Sequence, residues 1–168
     1  EFRRVLFRSS NSGNSTVKDL VVSSGTLTNT GRINVENSLS NTAAIQNDGS
    51  LMFVAEGKTL TNEGAITKGA SAIESRLVIS DNTTLNTTGA ITQNNIVIEN
   101  NAALNNTGSG AITANVRNNG SLTSSAVSGT VNNSAETSTY TVKSGTIGSE
   151  VSGSGKTIID GTVVSNAA

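Results

Sequence analysis

Aliphatic residues in this chain come in pairs two positions apart, and then the pattern breaks off. Ile33/Val35, Leu77/Ile79 and Ile96/Ile98 are such pairs. Period two predicts short strands with one buried face. Asn, Thr, Ser and Gly fill the positions between, and these residues compete with or weaken helical hydrogen bonding. The breaks themselves repeat: LTNTGRI at 27–33, IQNDGSL at 45–51, LTNEGAI at 60–66 and VRNNGSL at 116–122. Each phrase runs from an aliphatic residue to an Asn, a Gly and another aliphatic residue, in steps of two. It reads as a corner. Leu27 ends one strand and Ile33 begins the next, both pointing inward. Asn29 takes left-handed backbone angles or hydrogen-bonds its own turn, and Gly31 supplies a positive φ.

Longer duplications set the period. LVISDNTTLNTTGAI (77–91) matches IVIENNAALNNTGSGAI (96–112), aligning Leu77 with Ile96, Ile79 with Ile98, Leu85 with Leu104 and Gly89 with Gly108. A two-residue insertion then separates Ile91 from Ile112. An earlier copy, MFVAEGKTLTNEGAI (52–66), aligns Leu60 with Leu85 and Gly64 with Gly89, at a longer offset. A unit of roughly 20 residues, variable in length, implies stacked supersecondary units, not a closed globule. The prediction is all-β: a right-handed parallel β-helix, or solenoid, with rungs of roughly 16–25 residues stacking about 4.8 Å apart.

Near the C-terminus the phrase changes. TVKSGTI (141–147) and TIIDGTV (157–163) carry a tighter x-Gly-Thr turn that recurs from Gly145 to Gly161, and SSGTL (23–27) has the same form. These read as shorter rungs of the same array. The stretch 123–140 has the weakest pattern and is expected to be a loop or an irregular rung.

Composition supports a thin core. Asn, Ser, Thr and Gly make 86 of 168 residues, aromatics are 2%, and there is no Pro, Cys, His or Trp. A Pro would break a ladder hydrogen bond, and a narrow core takes aliphatic residues better than rings. Asn at equivalent corners can stack its amides into ladders. With 34% hydrophobic and 14% charged residues, the chain lacks the signature of a disordered tail. A net charge of −1 offers little attraction to nucleic acid, and no apolar run approaches the roughly 20 residues of a membrane-spanning helix.

The first nine residues differ in style. EFRRVLFRS holds three of the six Arg and two of the three Phe, and it resembles a translated sequencing-library adaptor. No apolar stretch follows its arginines, as a signal peptide requires. The expected organisation is therefore an artefact at 1–9 and one solenoid array at 10–168, truncated at both ends. Without 1–9, eleven acidic residues face eight basic ones.

Asn/Gly/Thr/Ser-rich repeats with aliphatic-x-Asn-x-Gly-x-aliphatic corners resemble the passenger domains of bacterial autotransporter adhesins and filamentous haemagglutinins. The likeness covers roughly 16–165. It implies a right-handed β-helix exported across a Gram-negative outer membrane by type V secretion, acting as a surface stalk or adhesin with a C-terminal β-barrel anchor. No barrel-type strands with aromatic girdles occur in this stretch.

Catalytic signals are sparse. Without His or Cys, a His-assisted nucleophile and a His/Cys zinc site are both excluded. Asp19, Asp48, Asp81 and Asp160 are scattered, and Asp48 and Asp160 stand beside Gly, where Asp is a turn residue. Gly153, Gly155 and Asp160 do not match calcium-repeat spacing. The Thr-x-Thr runs TLTNT (26–30) and TSTYT (137–141) do not recur at the repeat period, which argues against an ice-binding array. The sequons at Asn14, Asn82, Asn86, Asn105, Asn119 and Asn132 are expected by chance. Lys58, Arg76 and Glu99 read as solvated outward positions.

The expectation is a non-catalytic, cell-surface adhesin or stalk contacting a host-cell or bacterial glycan or protein, with no catalytic, metal or cofactor residues assigned. Nucleic acid and membrane are not expected as partners, and self-association through uncapped solenoid ends is. The alternative is a β-helical polysaccharide-acting protein, such as a phage tail fibre or lyase.

Overall fold

The computed structural model describes residues 2–5 (backbone alone), 9–148 and 150–165. It is all-β, with nineteen strands and no helix among the described residues. Every strand pairing is parallel, and the chain winds into a β-solenoid of about eight coils. No helix long and apolar enough to cross a membrane occurs among the described residues.

Each coil contributes to three ladders. In the first, Leu27, Ile45, Ile66, Ile91 and Ile112 stack in register. The second stacks Ile33, Leu51, Leu77, Ile96, Val116, Val131 and Val151. In the third, Leu20 lies beside Leu39, and Leu60, Leu85, Leu104, Leu122 and Tyr140 follow in one column. These columns point inward and form one continuous core, nearly all of it under 5% exposed. Each buried Leu, Ile or Val contributes about 1.5–3 kcal/mol. The duplication aligned in the sequence is the observed register: Leu77 pairs with Ile96, Ile79 with Ile98 and Leu85 with Leu104.

The recurrent phrase makes all three corners. At 27–33 and 45–51 it turns from the first ladder to the second, at 60–66 from third to first, and at 116–122 from second to third. Leu27 and Ile33 are both buried, as expected. The corner works differently from the expectation, however. Neither Asn29 nor Gly31 has positive φ; among the described non-Gly residues only Asn82 and Asn101 do. Instead, Gly31 packs on the rung before it, where an added Cβ would run into the carbonyl oxygen of Gly13, and Gly49 meets Gly31 in the same way. The glycine is there for closeness, not for its backbone angle.

The Asn of the phrase faces inward and is buried. The Asn29 Nδ2–H donates to Asn47 Oδ1 at 2.7 Å, and Asn29 Oδ1 accepts from Asn11 at 2.8 Å. The Nδ2–H of Asn47 also donates to Gly49 O (3.3 Å) and that of Asn62 to Gly64 O (2.8 Å), closing their own turns. Asn41 donates to Asn62 and Asn118 to Asn133, so amide ladders run along each corner.

Three further expectations change. Gly89 stacks against Gly110 rather than Gly108, which lies against Thr88, so the two-residue insertion precedes the glycine. Gly145 pairs with Val163, not Gly161, because the register shifts between Val142 and Ser144. Gly25, Gly145 and Gly161 do have positive φ (72°, 101° and 146°), so the x-Gly-Thr phrase is the one that uses glycine's backbone freedom. Gly145 and Gly161 nevertheless lie inside the strands Thr139–Ile147 and Lys156–Ser165 and not in the expected turns. The stretch 123–140 is a proper rung. Val131–Asn133 pairs with both neighbours, Thr113 bridges Ser128, and Tyr140 extends the leucine column.

Of the segment 1–9, residues 2–5 pair with 19–22 and Ser9 pairs with Leu27. Glu1 and residues 6–8 lie outside the described residues.

Candidate functional site

One coil is longer than its neighbours. In the second ladder Leu77 follows Leu51 after a visibly longer stretch of chain than separates Leu51 from Ile33. Part of the extra chain leaves the stack at 68–75, on the corner between the first and second ladders. This loop is tied down at both ends. The Gly69 N–H donates to Asp48 Oδ1 (2.5 Å), and Asn94 Nδ2–H donates to Ile73 O (2.7 Å). The Ser75 hydroxyl donates to Asn94 Oδ1 at 3.0 Å and accepts from the Asn94 N–H at 2.8 Å. Ile73 stands out from it, 82% exposed.

Beside this loop, the outward side of the second ladder is hollow. Arg76, Asn95 and Asn115 form one outward column, and Val97, Arg117 and Asn132 form the next. Together with Thr130 they line a groove of about 410 Å³. A second hollow of about 490 Å³ shares Asn95 and Asn115 and continues to Lys68, Ile73, Gln93 and Asn94 at the loop. The floor is apolar: Val97 (6% exposed) and its neighbour Val78 (1%) face outward yet are covered. This is why 77–79 and 96–98 read as unbroken aliphatic runs.

The groove is lined by the cations Lys68, Arg76 and Arg117 and by no carboxylate. The Lys68 ammonium donates to Ala72 O at 3.1 Å. Neither guanidinium has a hydrogen bond or ion pair among the described residues. A guanidinium presents a planar fork of donors suited to carboxylate or phosphate, and each side-chain amide offers both a donor and an acceptor to hydroxyl groups. The groove can bind. It has no acid that could move a proton.

The aspartates singled out in the sequence lie in separate coils. Asp48 accepts from Gln46 Nε2 (2.7 Å) and holds the loop. Asp160 was expected in a turn, but it lies inside the strand Lys156–Ser165 and pairs with Lys143. Asp81 is exposed at a turn. Asp19 accepts from Ser38 and Asn37, and these hydrogen bonds lower its pKa. No group of three or more acidic residues able to hold a metal occurs among the described residues. Lys58 and Arg76 are exposed, as expected, whereas Glu99 is half-buried.

The Thr-x-Thr runs do not recur from rung to rung, as expected. On the third ladder Thr59/Thr61 and Thr139/Thr141 share two outward columns, but the rungs between them carry Thr84/Asn86, Ala103/Asn105 and Ser121/Thr123. On the first ladder Thr26/Thr28 pairs with Ala44/Gln46.

Comparison of the chain with protein-family models, curated proteins and solved structures finds no match. The functional reading therefore stands on the residues of the groove and the solenoid that carries it.

Sequence reasoning assigns no site residues and takes Arg76 for a solvated charge. The available signal was an uneven offset: Leu60 lies farther from Leu85 than Leu85 does from Leu104. It marks the coil with added chain, and that chain becomes the groove wall.

Proposed function

We propose that this solenoid is the stalk and contact surface of a bacterial surface adhesin of the autotransporter type, carried to the outer face of a Gram-negative outer membrane by type V secretion. The observation that carries the reading is the groove. It is a polar hollow whose two guanidiniums have no partner among the described residues and which is bordered by side-chain amides, mounted on a long stack of hydrogen-bonded coils. Such a stack holds the hollow at a fixed height and orientation, as an adhesive surface needs. The corner phrase and composition agree with the same class. Catalysis on a polysaccharide has less support, because no carboxylate lines the groove.

Beads coated with the purified chain test this reading on cultured epithelial cells and on bacterial lawns under flow. Retention well above that of albumin-coated beads is expected on at least one surface. Retention equal to albumin on both would overturn it.

A further inference from the structure

We infer that the groove binds an acidic glycan, with sugar carboxylates meeting Arg76 and Arg117 and ring hydroxyls meeting Asn95, Asn115 and Asn132. This rests on the adhesive reading and names the ligand class of the same site.

Four observations lead there. The two guanidiniums lie two coils apart, Arg76 above Asn95 in one outward column and Arg117 beside Val97 in the next. Rungs stack about 4.8 Å apart, so they are separated by about 10 Å along the axis. A ligand meeting both therefore extends along the stack, as a linear polymer does. Neither side chain has an ion pair with an acid among the described residues, and Glu74 and Glu150, near Arg76 and Thr130 respectively, do not line the hollow. Of the amides beside the arginines, Asn95 offers a donor and an acceptor to hydroxyl groups, while Asn115 Oδ1 already accepts from the Thr130 N–H and hydroxyl and offers its N–H. Finally, no aromatic side chain lines the groove and the chain's net charge is −1. Single-stranded nucleic acid calls for stacking platforms and a strongly positive channel, so a polymer with sparse charge and many hydroxyls fits better.

Sodium polygalacturonate, its methyl ester and an oligothymidylate are the probes, with binding to the purified chain followed by calorimetry. The acid polymer is expected to bind, more weakly as salt rises, and the methyl ester at least about tenfold more weakly. The double variant Arg76→Gln/Arg117→Gln should lose about tenfold in affinity, while Arg76→Lys/Arg117→Lys keeps part of it. Circular dichroism confirms that each variant folds. Equal binding of acid and ester, unchanged binding by the glutamine variant, or tighter binding of oligothymidylate would each overturn the inference. Beads bearing the glutamine variant separate the two readings. Full retention on cells would sink the acidic-glycan assignment and leave adhesion standing. Binding of polygalacturonate by a chain whose beads hold to no surface would do the reverse.

Discussion

The Nδ2–H of Asn47 donates to Oε1 of Gln93 at 2.7 Å, across 46 residues of chain. Asn11, Asn29 and Asn47 occupy this corner at intervals of 18 residues. In the next coil the chain departs into the 68–75 loop, and the amide column has no Asn to continue it. Gln93, one methylene longer than Asn, supplies the missing acceptor. The loop that walls the groove is thus accommodated while Asn47 keeps an amide acceptor above it, beside its bonds to Gly49 O and Arg76 O.

That column should be sensitive to a single truncation. Asn29→Ala removes the acceptor of Asn11 and the donor to Asn47, both buried. Leaving such groups unmet costs about 2–3 kcal/mol, so the midpoint of urea denaturation should fall. Asn29→Asp should fall further, since it brings a charge to a position with no solvent access. An alanine variant as stable as the parent would refute the ladder's role.

Three glycines predict three different outcomes. Gly49→Ala drives a Cβ into the backbone of Gly31 and should cost about 3 kcal/mol or more. Gly57 has φ of 70° with open space around it, so Gly57→Ala should cost about 1–2 kcal/mol from backbone strain alone. Gly13 has neither constraint, and Gly13→Ala should be neutral or slightly stabilising. Urea titrations of the three variants would read this order directly.

Thr83 is fully buried and its hydroxyl has no hydrogen-bond partner among the described residues. Thr83→Val keeps the shape and removes the stranded group, so stability should hold or rise by about 1 kcal/mol. A clear loss in the same titration would mean that the hydroxyl has a partner the structure does not hold.

Tyr140 is the chain's single tyrosine, which makes its titration easy to isolate. Its hydroxyl oxygen accepts from the Val127 N–H at 3.0 Å, but desolvation dominates and raises its pKa above the usual 10.0. Folding therefore favours the protonated phenol. This contribution is complete below the unfolded pKa and is lost as pH rises through the higher folded value. Phenolate absorbance should appear later in the native chain than in urea, and coincident titrations would refute it. Tyr140→Phe should remove the extra alkaline sensitivity and cost about 1–2 kcal/mol, because Val127 loses its acceptor.

The solenoid was legible because its core residues repeat by type. Leu85 with Leu104 and Ile79 with Ile98 can be paired by eye from the duplicated phrase. Two things were not legible. Gly31 and Gly145 look alike in sequence, but one answers a neighbouring rung and the other its own backbone angle. That distinction appears only when coils are stacked. The groove was hidden for a related reason. Arg76 and Arg117 are far apart along the chain and come to line one groove only through the register Arg76–Asn95–Asn115, beside Val97–Arg117.

A coil rises only about 4.8 Å along the stack. The coil from Asn29 to Asn47 nonetheless holds 18 residues, enough for about 60 Å of extended chain. A pull along the axis loads the edges of the three ladders, so coils can peel from one end while the rest stay wound. Each coil that peels away would span more than ten times its own folded height. A stack of this build would behave under tension as a reel, releasing chain coil by coil.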